Sequence, residues 1–138
     1  MSSIFSLLRF KFSDFASLPY EPGKIVHSST EGSDDHAWKL YLHPATQKTT
    51  TPTQYVGLYL KNWEEKSVSV QYAIILRDAN GKVYKEQTFV KHLEAFAAVG
   101  NKTFVKRSVL LSAESNILVD GALLVDVHIQ LKSPAHVP

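Results

Sequence analysis

A chain of 138 residues with 44% hydrophobic and 20% charged residues has the size and composition of one folded domain and excludes an intrinsically disordered polymer. The formal net charge of +2 is too small to argue by itself for nucleic acid or an anionic membrane surface. The absence of cysteine excludes a disulfide framework and any thiolate metal site, and fits a reducing compartment.

The opening stretch, Met1-Ser-Ser-Ile-Phe-Ser-Leu-Leu-Arg9, has no positive charge ahead of a short, serine-broken apolar run. It reads as an N-terminal extension, residues 1–9, rather than an export signal. No segment approaches the roughly 20 apolar residues of a membrane span. A place inside the cell, cytoplasmic or nuclear, is therefore expected. Phe10 and Phe12 alternating with Lys11 and Ser13 predict a first strand over 8–15. Pro19, Pro22 and Gly23 predict a connection, Lys24 to Ser29 a short strand, and Glu31 to Asp35 a turn.

Two runs then seed the core. Trp38, Leu40 and Leu42 share one face, with Lys39, Tyr41 and His43 on the other. Val56, Leu58 and Leu60 oppose Tyr55, Gly57, Tyr59 and Lys61 in the same manner. A period of two with one apolar and one mixed face is the signature of a half-buried antiparallel strand. The polar link Ala45 to Thr53 predicts an exposed loop, and Asn62 to Lys66 a charged one.

Val68, Val70, Tyr72, Ile74 and Leu76 form the longest clean alternation. It ends at Asp78-Ala-Asn-Gly81, whose Asn and Gly tolerate the positive φ of a tight hairpin. Val83 to Val90 returns as its partner. From Phe89 to Gly100 the apolar spacing fits a helix about as well as a strand. Thr103 to Arg107 predicts another strand, Ser108 to Glu114 one helical turn with Ser108 as cap, and Asp120-Gly121 a turn. Leu123 to Leu131 is the last strand, with Asp126, His128 and Gln130 facing water. Residues 132–138 read as a mobile tail. Short strands at near-regular spacing, without a long helical pattern, predict an all-β fold, an antiparallel β-sandwich of about eight strands.

Three stretches in order, Gly23-Lys-Ile-Val-His-Ser-Ser29, Trp38-Lys-Leu-Tyr-Leu-His-Pro44 and Gln54-Tyr-Val-Gly-Leu-Tyr-Leu60, resemble the MATH (meprin and TRAF homology) domain. Gly100-Asn-Lys-Thr-Phe-Val-Lys-Arg107 and Val119-Asp-Gly-Ala-Leu-Leu-Val-Asp-Val127 resemble its later segments, so the likeness spans about residues 10–131. It is nearest to MATH domains that precede a BTB domain, the substrate-recognition adaptors of cullin-based ubiquitin ligases. The resemblance implies a non-catalytic sandwich that binds short Ser/Thr-rich peptides in a shallow groove, partly as an added strand. A cullin ligase would be reached through a BTB domain, and none follows Leu131 in this chain. The same resemblance leaves an alternative, a structural or oligomerisation module of the trimeric TRAF type, although nothing before Phe10 has heptads.

Carried over residue by residue, Tyr55 and Tyr72 fall on groove aromatics, and Gly100 and Lys102 match the segment beside the peptide. Val99 stands where the groove relatives carry tryptophan, Asn101 where they carry an aromatic, and Ala98 where an acid is expected. The implied floor is smaller and more polar. Alternation places Tyr55 on the mixed face. It places Tyr72 beside Val70 and Ile74, so either a bulge turns the ring outward or it packs at the sandwich edge with a wet hydroxyl. Lys102 suits an acidic or phosphorylated ligand residue.

Other chemistry finds little support. Asp34-Asp35-His36 reads as a polar turn rather than a metal site, and His27, His43, His92, His128 and His136 have no ligand spacing. There is no Gly-x-Ser-x-Gly elbow and no Gly-rich phosphate loop, so no cofactor and no enzymatic activity are expected. Lys102, Lys106 and Arg107, with Lys85 and Lys91, read as a solvated face rather than a nucleic-acid patch. Asn101-Lys-Thr103 matches a glycosylation acceptor that stays silent without export.

Overall fold

The computed structural model describes residues 4–18, 24–33, 36–47 and 53–131. Among the described residues the nine antiparallel strands are β1 (Ile4–Phe12), β2 (Val26–His27), β3 (Glu31–Ser33), β4 (His36–Gln47), β5 (Gln54–Asn62), β6 (Val68–Arg77), β7 (Val83–Leu93), β8 (Ala98–Lys106) and β9 (Leu123–Leu131). One short helix, α1 (Arg107–Leu111), follows β8. One sheet has the order β1-β9-β6-β7, the other β2-β4-β5-β8 with β3 also on β4. The sandwich expected from alternation is present, built from long strands plus the very short β2 and β3.

The apolar faces meet between the sheets. Phe10, Val70, Tyr72, Ile74, Leu76, Val125 and Val127 come from one, and Trp38, Leu40, Leu42, Val56, Leu58 and Leu60 from the other; all are buried. Leu40 stands opposite Leu60 and Leu42 opposite Leu58, while Ile74 stands opposite Val127. Burying each large apolar side chain contributes roughly 1.5–3 kcal/mol. A one-residue slip would turn a whole row to water, so the core fixes the registers.

Several local expectations are corrected. Much of the supposed N-terminal extension is strand: β1 starts at Ile4, pairs with β9 from Ile4 opposite Leu131 onward, and buries Leu8. It ends at Phe12, and the fully buried Phe15 sits in a 3₁₀ turn. Within 24–29 only Val26 and His27 pair. Glu31 to Ser33 is a strand on β4, not a turn. Strand β4 continues to Gln47 through a bulge between His43 and Thr46 that buries Ala45, so the loop is shorter than expected. The stretch around residues 89–100, whose spacing leaves helix and strand open, holds two strands and a tight turn: Ala97 N–H donates to Glu94 O at 3.0 Å, and Phe96 takes φ 59.

Helix α1 begins at Arg107 with Lys106 before it, so Ser108 is inside the helix and does not cap it. The Asp78 to Gly81 hairpin forms as expected, with Gly81 at φ 87 and Asp78 Oδ1 accepting from the Asn80 and Lys82 amides. Expectations for residues 1–3, 19–23, 34–35, 48–52 and 132–138 lie outside the described residues.

Candidate functional site

Strand β8 closes one sheet and β7 closes the other, each with a single strand partner among the described residues. The turn at residues 94–97 joins them, so the two free edges run side by side at one flank of the sandwich. Three contacts tie the flank together. Lys85 Nζ donates to Phe104 O at 2.5 Å, Asn101 Nδ2 to Gln87 Oε1 at 2.9 Å, and the Tyr72 hydroxyl to Val99 O at 2.6 Å.

The bond from Asn62 N–H to Ala97 O, with Leu60 opposite Val99 and Leu58 opposite Asn101, sets the parity of β8. In an antiparallel pair the bonded residues alternate. The main-chain groups of Ala98 and Gly100 therefore point away from β5, toward the free edge. Such groups are what an added strand pairs with.

Gly100 is demanded by close approach. A Cβ there would lie 2.0 Å from Leu58 O and 2.6 Å from Tyr59 Cα. Two residues further, β8 bulges: Val56 stands opposite Val105, yet Leu58 stands opposite Asn101. Gly57 makes room for this bulge, because a Cβ on it would meet Lys102 Cα at 3.0 Å. Asn101 Oδ1 accepts from the Thr103 amide at 2.9 Å and from its hydroxyl at 3.2 Å, and Thr46 Oγ1 donates to Lys102 O at 2.6 Å. The Asn101 carboxamide is thus occupied in shaping the bulge and reaching β7.

Tyr72 is a correction. Its ring is 1% exposed, stacked on Phe89 with centroids 5.0 Å apart, and its hydroxyl is used by Val99. It faces the core with Val70 and Ile74, so it supports the β8 edge from beneath and offers no ring to a ligand. Burial pushes its ionisation far above the ordinary tyrosine range. Tyr72→Phe is expected to cost about 1 kcal/mol through the loss of the hydroxyl's hydrogen bond to Val99 O. A urea midpoint unchanged by that substitution would show that the bond contributes nothing.

Tyr55 is half-buried on the outer face, opposite Lys106, not Gly100. The aromatic beside Gly100 is Tyr59, which is half-buried and packs on the His43 ring at 5.0 Å. Burial raises the Tyr59 pKa and lowers that of His43. The shared alternation of Tyr55, Gly57, Tyr59 and Lys61 was the available signal for Tyr59. The register that brings it to Gly100 depends on the bulge and is invisible locally. Val99 is half-buried and packs against the core, and Lys102 is exposed.

The basic cluster also divides. Arg107 is buried, with Nη1 donating to Pro44 O at 2.8 Å and the guanidinium 5.1 Å from the Phe15 ring. It holds α1 to the sandwich, while Lys102 and Lys106 remain exposed.

A search of curated proteins found no match. The family model described as MATH domain matches residues 8–129, nearly the whole described sandwich. With its two antiparallel sheets and its free β8 edge, this chain belongs to the MATH domain family of protein-interaction modules, which are generally non-catalytic.

Proposed function

We propose that the chain binds short, extended Ser/Thr-rich peptides along the β8 edge, as the substrate-recognition part of a cullin-based ubiquitin-ligase adaptor. The observation that carries this is the outward-pointing main chain of Ala98 and Gly100 with Tyr59 beside it and Tyr55 further along the same face. An extended peptide satisfies its backbone at that edge, and its alternate side chains settle on the tyrosine face. Tyrosines supply apolar area and a hydroxyl, which suits serine and threonine. Gly100, which stands opposite Tyr59 and carries no side chain, leaves the floor shallow, so small ligand residues fit it. The link to a cullin would run through a BTB domain joined to this module.

Binding to an array of Ser/Thr-rich peptides of the nine-residue length of β8 tests the reading. Tyr59→Ala and Tyr55→Ala are expected to weaken the best binder about tenfold each, with the core untouched. Equal affinity in both variants would remove the tyrosine face from the site.

A further inference from the structure

We infer that the preferred peptide is anionic, carrying a phosphoserine, phosphothreonine or acidic residue opposite Lys102 and Lys106. This rests on the peptide-binding reading above and specifies its ligand class. Strands β4, β5 and β8 carry Lys39, Lys61, Lys102 and Lys106 and not one Asp or Glu. Glu31, on β3 of the same sheet, stands opposite the core residue Trp38 and accepts from Ser29 Oγ at 3.0 Å, so the outer face of β4, β5 and β8 projects a single-sign field.

The four lysines differ in how they are used. Lys39 lies over the Trp63 ring at 4.1 Å. Lys61 donates to Phe96 O and lies 5.2 Å from the Tyr41 ring. Lys102 and Lys106 are exposed, and among the described residues the ion pairs involve Arg9, Arg77 and His92 instead. The nearest cation in sequence, Arg107, is committed to Pro44 O and the Phe15 ring. Glu64 lies toward the opposite end, its Oε2 accepting from Ala37 N–H at 3.0 Å. Uncompensated charge therefore concentrates where β8 bulges and then reaches α1.

Geometry orders the ligand accordingly. A strand on β8 places small residues along Ala98 and Gly100 and its anionic residue at the Lys102 to Lys106 end. Residues two or four apart in that strand share a face. A phosphate there gains about one to three charge-assisted hydrogen bonds.

The surface favours a peptide over single-stranded nucleic acid, which needs open aromatic faces for bases to stack on. Here Tyr41, Tyr59 and Trp63 each already pack on another ring. His27 stacks on Tyr41 at 4.3 Å, His43 packs on Tyr59, and Trp63 stands edge-on to Phe96 beneath Lys39.

The test uses the full chain and the same peptide array, each sequence made plain, phosphorylated and Asp-substituted, with fluorescent oligo-dT as a further probe. Expected is a preference of about tenfold for the phosphorylated form at low salt, shrinking as salt rises. Lys102→Gln with Lys106→Gln should bring the ratio of phosphorylated to plain affinity down from about ten to about one. Plain peptides binding as well as or better than phosphorylated ones would overturn the anionic preference and leave the groove standing. No binding of any peptide form would overturn the groove as well. Lysine-dependent binding of oligo-dT without peptide binding would overturn both in favour of nucleic acid.

Discussion

Gly100→Ala is expected to lower the stability of the sandwich by about 3 kcal/mol, the upper end of the usual cost of overpacking. The added methyl would fall 2.0 Å from Leu58 O, 2.6 Å from Tyr59 Cα and 2.8 Å from Leu58 C. These are main-chain atoms of the central strand β5, itself held to β4 at Leu42 opposite Leu58 and Tyr41 opposite Tyr59. No rotamer change relieves the clash, so either β8 swings away or β5 distorts. Gly57→Ala is the graded comparison. Its closest contact is 3.0 Å to Lys102 Cα, in a bulge with room to shift, and about 1 kcal/mol is expected. Urea unfolding would read both as lower midpoints with an unchanged slope. Should Gly100→Ala unfold at the wild-type midpoint, the tight pairing of β8 on β5 is not as described. Because Gly100 also presents the free edge, the same variant should lose peptide affinity more than Tyr59→Ala does.

The alternation of apolar residues reveals most of this fold because it is a local property. Trp38, Leu40 and Leu42 announce their face without reference to any other strand, and all three are buried. What alternation cannot show is which distant residue stands opposite. Tyr72 makes the point: its own period placed it in the core, while the family register placed it in the groove. The period prevailed, because the ring fills space against Phe89 while its hydroxyl satisfies a carbonyl of β8. At Asn101 the family register was the only pointer, and the side chain instead builds a bulge whose necessity lies in Gly57 on another strand. The first strand begins four residues before its own alternation announces it, because Ile4 takes its meaning from β9 at the other end of the chain.

Asp126 carries this limit furthest and sets the second large effect. It alternates outward as expected for a water-facing residue, yet it is 3% exposed. Arg9, paired directly opposite it, donates from Nε to Oδ1 at 2.7 Å and from Nη2 to Oδ2 at 3.1 Å. Arg77 Nε donates to Oδ2 at 3.0 Å, and Arg77 Nη1 reaches Gly81 O at 3.3 Å. One carboxylate thus clasps β1, β9 and the end of β6 on the outer face of the sheet. Burial alone would raise its pKa, but the hydrogen bonds and charges of Arg9 and Arg77 together outweigh it and hold the pKa below the ordinary 3.8.

The sign of the linkage follows. A carboxyl with a lower pKa folded than unfolded stabilises the fold above 3.8, and this contribution is lost as pH falls through the folded value. Asp126→Asn leaves two guanidinium groups around an amide whose own N–H₂ is a third donor. Breaking a fully buried pair costs about 3–5 kcal/mol. The Arg9 and Arg77 side chains are 57% and 32% exposed, so water screens part of that and about 2 kcal/mol is expected. Chemical unfolding at neutral pH should show this loss, and the gap to wild type should narrow as pH drops below the ordinary carboxylate value. A variant whose deficit stays constant into acid would place the cost in packing, and the clasp would not be electrostatic.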